Sequence, residues 1–110
     1  MIINGNLGLM ENYNLISLGN LQIVNGDLSL FNCKNLKDLG KLKAVKENLN
    51  LNDCKSLTTL GNLEFVNGSI FLDGSSITKE YVKKYKNKLY YKCLWKVYQL
   101  DYDSEEYEIW

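Results

Sequence analysis

The chain repeats itself every 21 residues, and no other feature narrows the accessible folds so far. Written in rows from Asn4, it reads NGNLGLMENYNLISLGNLQIV, NGDLSLFNCKNLKDLGKLKAV, KENLNLNDCKSLTTLGNLEFV and NGSIFLDGSSIT, after which the pattern ends. The apolar columns align without a gap. One holds Leu7, Leu28, Leu49 and Ile70, and the next holds Leu9, Leu30, Leu51 and Leu72. Further columns are Leu15, Leu36, Leu57; Leu18, Leu39, Leu60; Leu21, Leu42, Leu63; and Val24, Val45, Val66, preceded by Ile3. Gly19, Gly40 and Gly61 make another. A unit this short cannot bury its own apolar face, so neighbouring units must stack to close a core.

The spacing inside the unit says how it bends. Leu-x-Leu is the period-two pattern of a short strand with both leucines on one face. The later apolar positions recur every three residues, which suits neither a long helix nor a long strand. That predicts a coil that drops one side chain inward at each step. Gly19 and its equivalents supply a corner at positive φ, and Asn-Gly at 4–5, 25–26 and 67–68 supplies turn chemistry ahead of each strand. Stacked coils then place their strands ~4.8 Å apart in a parallel ladder. The expected architecture is a single domain over residues 1–110, mainly β. A solenoid of about four coils covers residues 3–77, and a helix plus β-hairpin cap covers 78–110.

The unit L-x-L-x-x-C-x-x-L-x-x-L-x-x-L-x-x-V-x-G resembles the leucine-rich repeat. It is closest to the short form, with Val-Asn-Gly ahead of the strand, that is also similar to the repeats of receptor L domains. The resemblance runs from residue 3 to residue 78. It implies a right-handed solenoid and an interaction scaffold, not a catalyst. It also implies a role for Cys33 and Cys54, which share a column with Asn12 and Ser75. In that family the column bonds loop backbone left unpaired by the bend, giving a buried polar ladder. The alternative is a redox pair, since stacking brings the two thiols within bridging reach. The ladder is the favoured reading, because the spacing is simply that of the repeat. One departure from the family stands out: natural arrays carry a polar cap at each end, and here the first coil begins almost at Met1.

Composition excludes several chemistries. The chain has thirteen Lys, thirteen acidic residues, no Arg, no His and no Pro, for a net charge of zero. Without His it lacks the usual general base and the commonest metal ligand. The three cysteines, Cys33, Cys54 and Cys93, show no CxxC spacing, so reduced thiols, no metal and no cofactor are expected. The glycines sit at repeat corners and make no phosphate loop. Glu105 and Glu106 are neighbours on an expected hairpin, pointing to opposite faces, and make a poor acid–base pair. The expectation is that the protein is not an enzyme. No apolar run approaches a membrane span and no leader pattern opens the chain, so a cytoplasmic protein without a membrane partner is expected.

After Ile77 the chain changes character. Residues 79–96 hold seven Lys against one Glu, and residues 101–110 hold five acidic residues and no Lys. Thr78 is placed to cap a helix in which Tyr81, Val82, Tyr85 and Leu89 form an apolar stripe lying over the last coil. From Tyr90 the pattern reads as a hairpin, YYKCLWKVYQL then DYDS then EEYEIW, with Lys92 and Lys96 facing Glu106 and Glu108. A helix continuing to Leu100 is the alternative. Lysines interleaved with Tyr also fit phosphate contact and base stacking, but the missing Arg and the carboxylates that follow argue against nucleic acid.

Two surfaces are candidates for binding. The tail is a cap, a partner surface or both. It carries Trp95, Tyr98, Tyr102, Tyr107 and Trp110, of the types enriched at hot spots, with the acidic cluster Asp101, Asp103, Glu105, Glu106 and Glu108. On the outward side of the ladder, Gly8, Ser29, Asn50 and Phe71 form one column and Met10, Phe31, Asn52 and Asp73 the next, so Phe31 and Phe71 mark a contact patch. At the other end Ile2, Ile3, Leu7 and Leu9 present an uncapped edge for self-association or a partner. The expected function is non-enzymatic protein–protein association. Small size and an AT-rich coding bias (fourteen Asn, an all-Lys basic set) fit a phage or mobile-element inhibitor of a host defence system, anti-CRISPR-like in its sharpest form. A self-assembling structural or adaptor protein is the alternative.

Overall fold

The computed structural model describes residues 1–86, 96–100 and 106–108. Each coil contributes two short strands. β1 (Ile2–Ile3), β3 (Ile23–Val24), β5 (Ala44–Val45) and β7 (Phe65–Val66) stack in parallel as one ladder. β2 (Leu7–Gly8), β4 (Leu28–Ser29), β6 (Leu49–Asn50) and β8 (Ser69–Phe71) stack as a second. The register is the repeat itself: Leu7 pairs with Leu28, Leu28 with Leu49, and Leu49 with Ile70. The fold is therefore the mainly β parallel solenoid that the repeat predicts. It makes about three turns and not four, because the chain leaves the coil after Ile77 and enters α1 (Lys79–Lys86). The ladder through β1 was not legible: a two-residue strand is too short to show a period.

The inward columns form the core. Leu28, Leu30, Leu36, Leu39, Leu49 and Leu57 have no exposed surface, and each such burial is worth about 1.5–3 kcal/mol. Their first-coil counterparts Ile3, Leu7, Leu9, Leu15 and Leu18 are only half-buried, having a neighbouring coil on one side alone.

Two corners per coil use left-handed backbone. Gly19, Gly40 and Gly61 share a φ of 57°, and a Cβ on Gly40 would lie 2.5 Å from the Gly19 carbonyl oxygen. Their amides donate to Ser17 Oγ, Asp38 Oδ1 and Thr59 Oγ1, two residues back, at 3.1, 2.8 and 2.9 Å. The second corner is the column Glu11, Asn32, Asp53 and Gly74, with φ between 58° and 72°. Asn, Asp and Gly visit this region readily; Glu11 holds it at a cost of about 1 kcal/mol. The Asn-Gly pairs work differently from expectation at 25–26. Gly26 lies outside the positive-φ set, and glycine is needed there for space, since a Cβ would sit 2.4 Å from Asn6 Oδ1.

α1 closes the far end. Thr78 Oγ1 accepts the Tyr81 amide at 3.1 Å, the expected N-cap. Val82 is fully buried, Tyr85 nearly so and Tyr81 half-buried, while Leu89, the last residue of the expected stripe, lies outside the described residues. The two tyrosine hydroxyls replace the backbone of a missing coil. Tyr81 Oη accepts the Leu60 amide at 2.8 Å, and the Tyr85 hydroxyl donates to the Leu63 carbonyl and lies 3.1 Å from that of Gly61. The rings stack with centroids 5.6 Å apart.

Beyond α1 the second ladder continues. β9 (Lys96–Leu100) pairs parallel with β8, and β10 (Glu106–Glu108) pairs antiparallel with β9. The hairpin reading holds and a helix reaching Leu100 is excluded, though residues 90–95 of the expected first arm lie outside the described residues. Glu106 stands directly opposite Leu100 and Glu108 directly opposite Tyr98, so Lys96 is the direct cross-strand partner of neither glutamate. Loop length sets hairpin register, and with Leu100 opposite Glu106 the direct partners of both glutamates lie nearer the loop than Lys96. Lys92 lies outside the described residues.

Removing the Tyr81 hydroxyl strands a buried-side amide. Tyr81→Phe is expected to cost about 1–3 kcal/mol in urea denaturation, whereas Tyr13→Phe, at the opposite end, is expected to cost less than about 0.5 kcal/mol.

Candidate functional site

The molecule has two ends of opposite construction, and the candidate site residues divide between them. The second ladder runs in the order β10, β9, β8, β6, β4, β2, so the hairpin lies at one end and the first coil at the other.

At the hairpin end, register aligns residues far apart in sequence. Phe71 pairs with Tyr98, and Tyr98 pairs with Glu108. The backbone register that aligns Gly8, Ser29, Asn50 and Phe71 therefore continues through Tyr98 to Glu108. Three of the expected partner-binding positions are thus brought together by backbone pairing. Glu106 and Tyr107 lie on β10, opposite Leu100 and Gln99. Trp95, Asp101, Tyr102, Asp103, Glu105 and Trp110 lie outside the described residues. Phe31 and Phe71 do not form one patch. Both are half-buried, but they stand two rungs apart, ~10 Å, with Asn50 and Asn52 of the third coil between their columns.

At the first-coil end, Ile2 and Ile3 form β1, and Leu7 and Leu9 are half-buried, with a neighbouring coil among the described residues on one side. Among the described residues the large apolar side chains that stand exposed are Met1, Ile2, Met10, Tyr13 and Ile16, at 46–67 % of their full surface. All belong to this end. The sequence held a signal for it that the alignment of leucines hides. Residues 4–24 contain one charged side chain, Glu11, against six in residues 25–45 and five in residues 46–66. Where later coils place Lys34 and Lys55, the first has Tyr13; where the second has Lys37, it has Ile16. A further column was missed as well: Ile2, Ile23, Ala44 and Phe65 stack outward along the ladder through β1, apolar at every rung. Lys46 covers Phe65, its ammonium 5.1 Å from the ring centre.

The cysteine column is structural. Cys33 Sγ donates to the Leu9 carbonyl and Cys54 Sγ to the Leu30 carbonyl, each at 3.0 Å and each from one coil to the one before. Both thiols are free and fully buried. Burial pushes the Cys54 thiol up to about 11, and burial, with Tyr81 and Glu64 nearby, holds the Tyr85 phenol well above its ordinary range. Among the described residues no three of His, Cys, Asp and Glu are grouped to hold a metal ion. No helix there is long and apolar enough to cross a membrane.

Comparison of the chain with protein-family models, with curated proteins and with solved structures finds no match.

The raised thiol and phenol set a pH dependence. A group whose folded pKa is raised stabilises fully below its unfolded value and loses that contribution as pH climbs through the folded one. The Cys54 contribution to stability is therefore expected to be fully present up to pH 9.0, the ordinary thiol value, and to be lost as pH rises toward about 11. Thermal melts across that window check this, and Cys54→Ser, which keeps a donor toward Leu30, is expected to flatten the first part of the fall. In a Cys93→Ser background neither remaining thiol is expected to react with iodoacetamide until the protein unfolds.

Proposed function

We propose that this protein is a leucine-rich-repeat-like module that works by binding another protein, without catalysis. The observation that carries the reading is the row Phe71, Tyr98 and Glu108. Lys96–Leu100 and Glu106–Glu108 of the tail are spliced into the solenoid's own ladder as its last two strands, so these residues sit on a regular element that can present them in a fixed order. Tyr beside carboxylates on a sheet suits a partner with a basic groove, where aromatic area and charge complementarity act together. The right-handed coil of leucine-rich repeats and their use as scaffolds belong to the same proposal. They are supported by the Leu-x-Leu strand and the Asn or Cys column of the repeat.

The sharper form is an inhibitor, carried by a phage or mobile element, that occupies the basic nucleic-acid groove of a host defence nuclease in an anti-CRISPR-like manner. Its support is the carboxylate cluster from Asp101 to Glu108, the small chain and the AT-rich composition. The site of action is then the host cytoplasm.

Affinity capture from host lysate by the tagged chain tests both. A single stoichiometric partner is expected. Its binding is expected to weaken at least about tenfold when Asp101, Asp103, Glu105, Glu106 and Glu108 are neutralised together, with a steep dependence on salt. Recovery of no partner contradicts the binding reading, and a partner held equally well after neutralisation contradicts the tail mechanism.

A further inference from the structure

We infer that the first coil is the contact surface for a second copy of this chain, giving a dimer with a two-fold axis. The inference concerns the end opposite the hairpin, and extends the reading of the protein as an association module.

Three observations lead there. The first is a change of surface chemistry inside a repeat that is otherwise constant. In the columns where later coils carry Lys34, Lys37 and Lys55, the first coil carries Tyr13 and Ile16. Nothing in the coil geometry asks for the change, since the Tyr13 position accepts lysine one and two rungs on and the Ile16 position accepts it one rung on. Loss of charge with gain of Tyr, Met and Ile is the composition of an interface centre. The second is the shape of the exposed area. Met1, Ile2, Met10, Tyr13 and Ile16 are exposed on the same coil whose inward leucines are half-buried, coil one being the terminal rung of both ladders. The five outward residues alone offer on the order of 500 Å², already the upper range for a patch on a free monomer. The inward leucines bring the face close to the ~800 Å² per partner of a standard interface.

The third observation selects a second copy. A face whose charges are the Glu11 carboxylate and the Met1 ammonium has no net charge, so it offers a foreign partner little to steer by and its own image no net repulsion. The other end is built of different chemistry: α1 and β9 cover the last coil, and the Tyr81 and Tyr85 hydroxyls bond its backbone. The apolar rim of coil one finds its like in the first coil of another copy, and the two meet face to face. A two-fold axis in the plane of contact sets β2 of one protomer antiparallel to β2 of the other, edge against edge, and closes the assembly at two. The two hairpins then point away from each other, so each dimer offers two partner surfaces and gains avidity toward a bivalent target.

The test is the mass of the full chain in solution by sedimentation or light scattering, over about 1–200 µM. The expected result is a shift with concentration from the 12.7 kDa monomer to about twice that mass. Tyr13→Lys with Ile16→Lys copies residues that later coils already hold at the same positions. That variant is expected to stay at 12.7 kDa throughout, with far-UV circular dichroism unchanged. A wild-type chain that remains monomeric overturns the inference, as does a dimer that survives the double substitution. Neither result touches the hairpin reading, which neutralisation of the tail decides separately.

Discussion

One coil lying in register on the next is the interaction on which the whole molecule depends. Backbone amides supply part of it, Leu28 to the Asn48 carbonyl and Lys46 to that of Val24, each at 2.9 Å. Side chains add a second, sequence-specific ladder. Asn6 Oδ1 accepts the Asp27 amide, Asp27 Oδ1 that of Asn48, and Asn48 Oδ1 that of Ser69, at 2.8–2.9 Å. Each of these side chains stands where a main-chain carbonyl would otherwise be needed. A slip of one residue would break that ladder and turn the leucines outward together, so the repeat length is enforced by polar and apolar columns at once. The thiols of Cys33 and Cys54 belong to the same scheme. Each spans two coils through its carbonyl bond and has no spare chemistry while folded.

A stack of this kind has its unsolved problem at the ends. There a coil has one neighbour and its backbone and leucines lack the other. The two ends meet the problem by different physics. At the far end the chain leaves the coil, turns into a capped helix and returns two phenol hydroxyls to the places where a fourth coil would have bonded. At the near end nothing equivalent occurs among the described residues. The leucines stay half-exposed, and the rim around them trades lysine for Tyr and Ile. The asymmetry gives the protein one end whose last coil is covered by its own chain and one end whose inward leucines stay half-exposed among the described residues.

Much of this was legible in the residues. Leu-x-Leu in a 21-residue frame fixes strand, inward face and parallel register, because only stacking can bury such columns. Thr78 ahead of Lys79-Glu80 marks the helix start, and the aromatic run before DYDS marks the hairpin. What escaped did so for local reasons. Ile23–Val24 is too short to declare itself a strand, and its outward column with Ile2, Ala44 and Phe65 follows from that ladder. The corner at Glu11, Asn32, Asp53 and Gly74 is announced by three tolerant residues and disguised by the fourth. Matching Lys96 to the glutamates follows charge alone, whereas the register is fixed by the backbone pairing of Leu100 with Glu106. The tyrosine hydroxyls were read as part of an apolar stripe, since a sequence shows that a ring is buried but not where its oxygen points. The charge deficit of coil one needed only a count by rows.

The central claim is that coil one completes its burial by association, while coils two and three are complete within the chain. Residue-resolved amide hydrogen exchange at two protein concentrations addresses it directly, through the amides of Leu7, Leu9 and Glu11, which donate to Asp27, Ser29 and Phe31. The account predicts that in dilute solution these amides exchange much faster than their counterparts at Leu28, Leu30 and Asn32. It further predicts that raising the concentration slows the coil-one amides and leaves the others as they were. Coil-one amides as protected as those of coil two at high dilution, or indifferent to concentration, would contradict it.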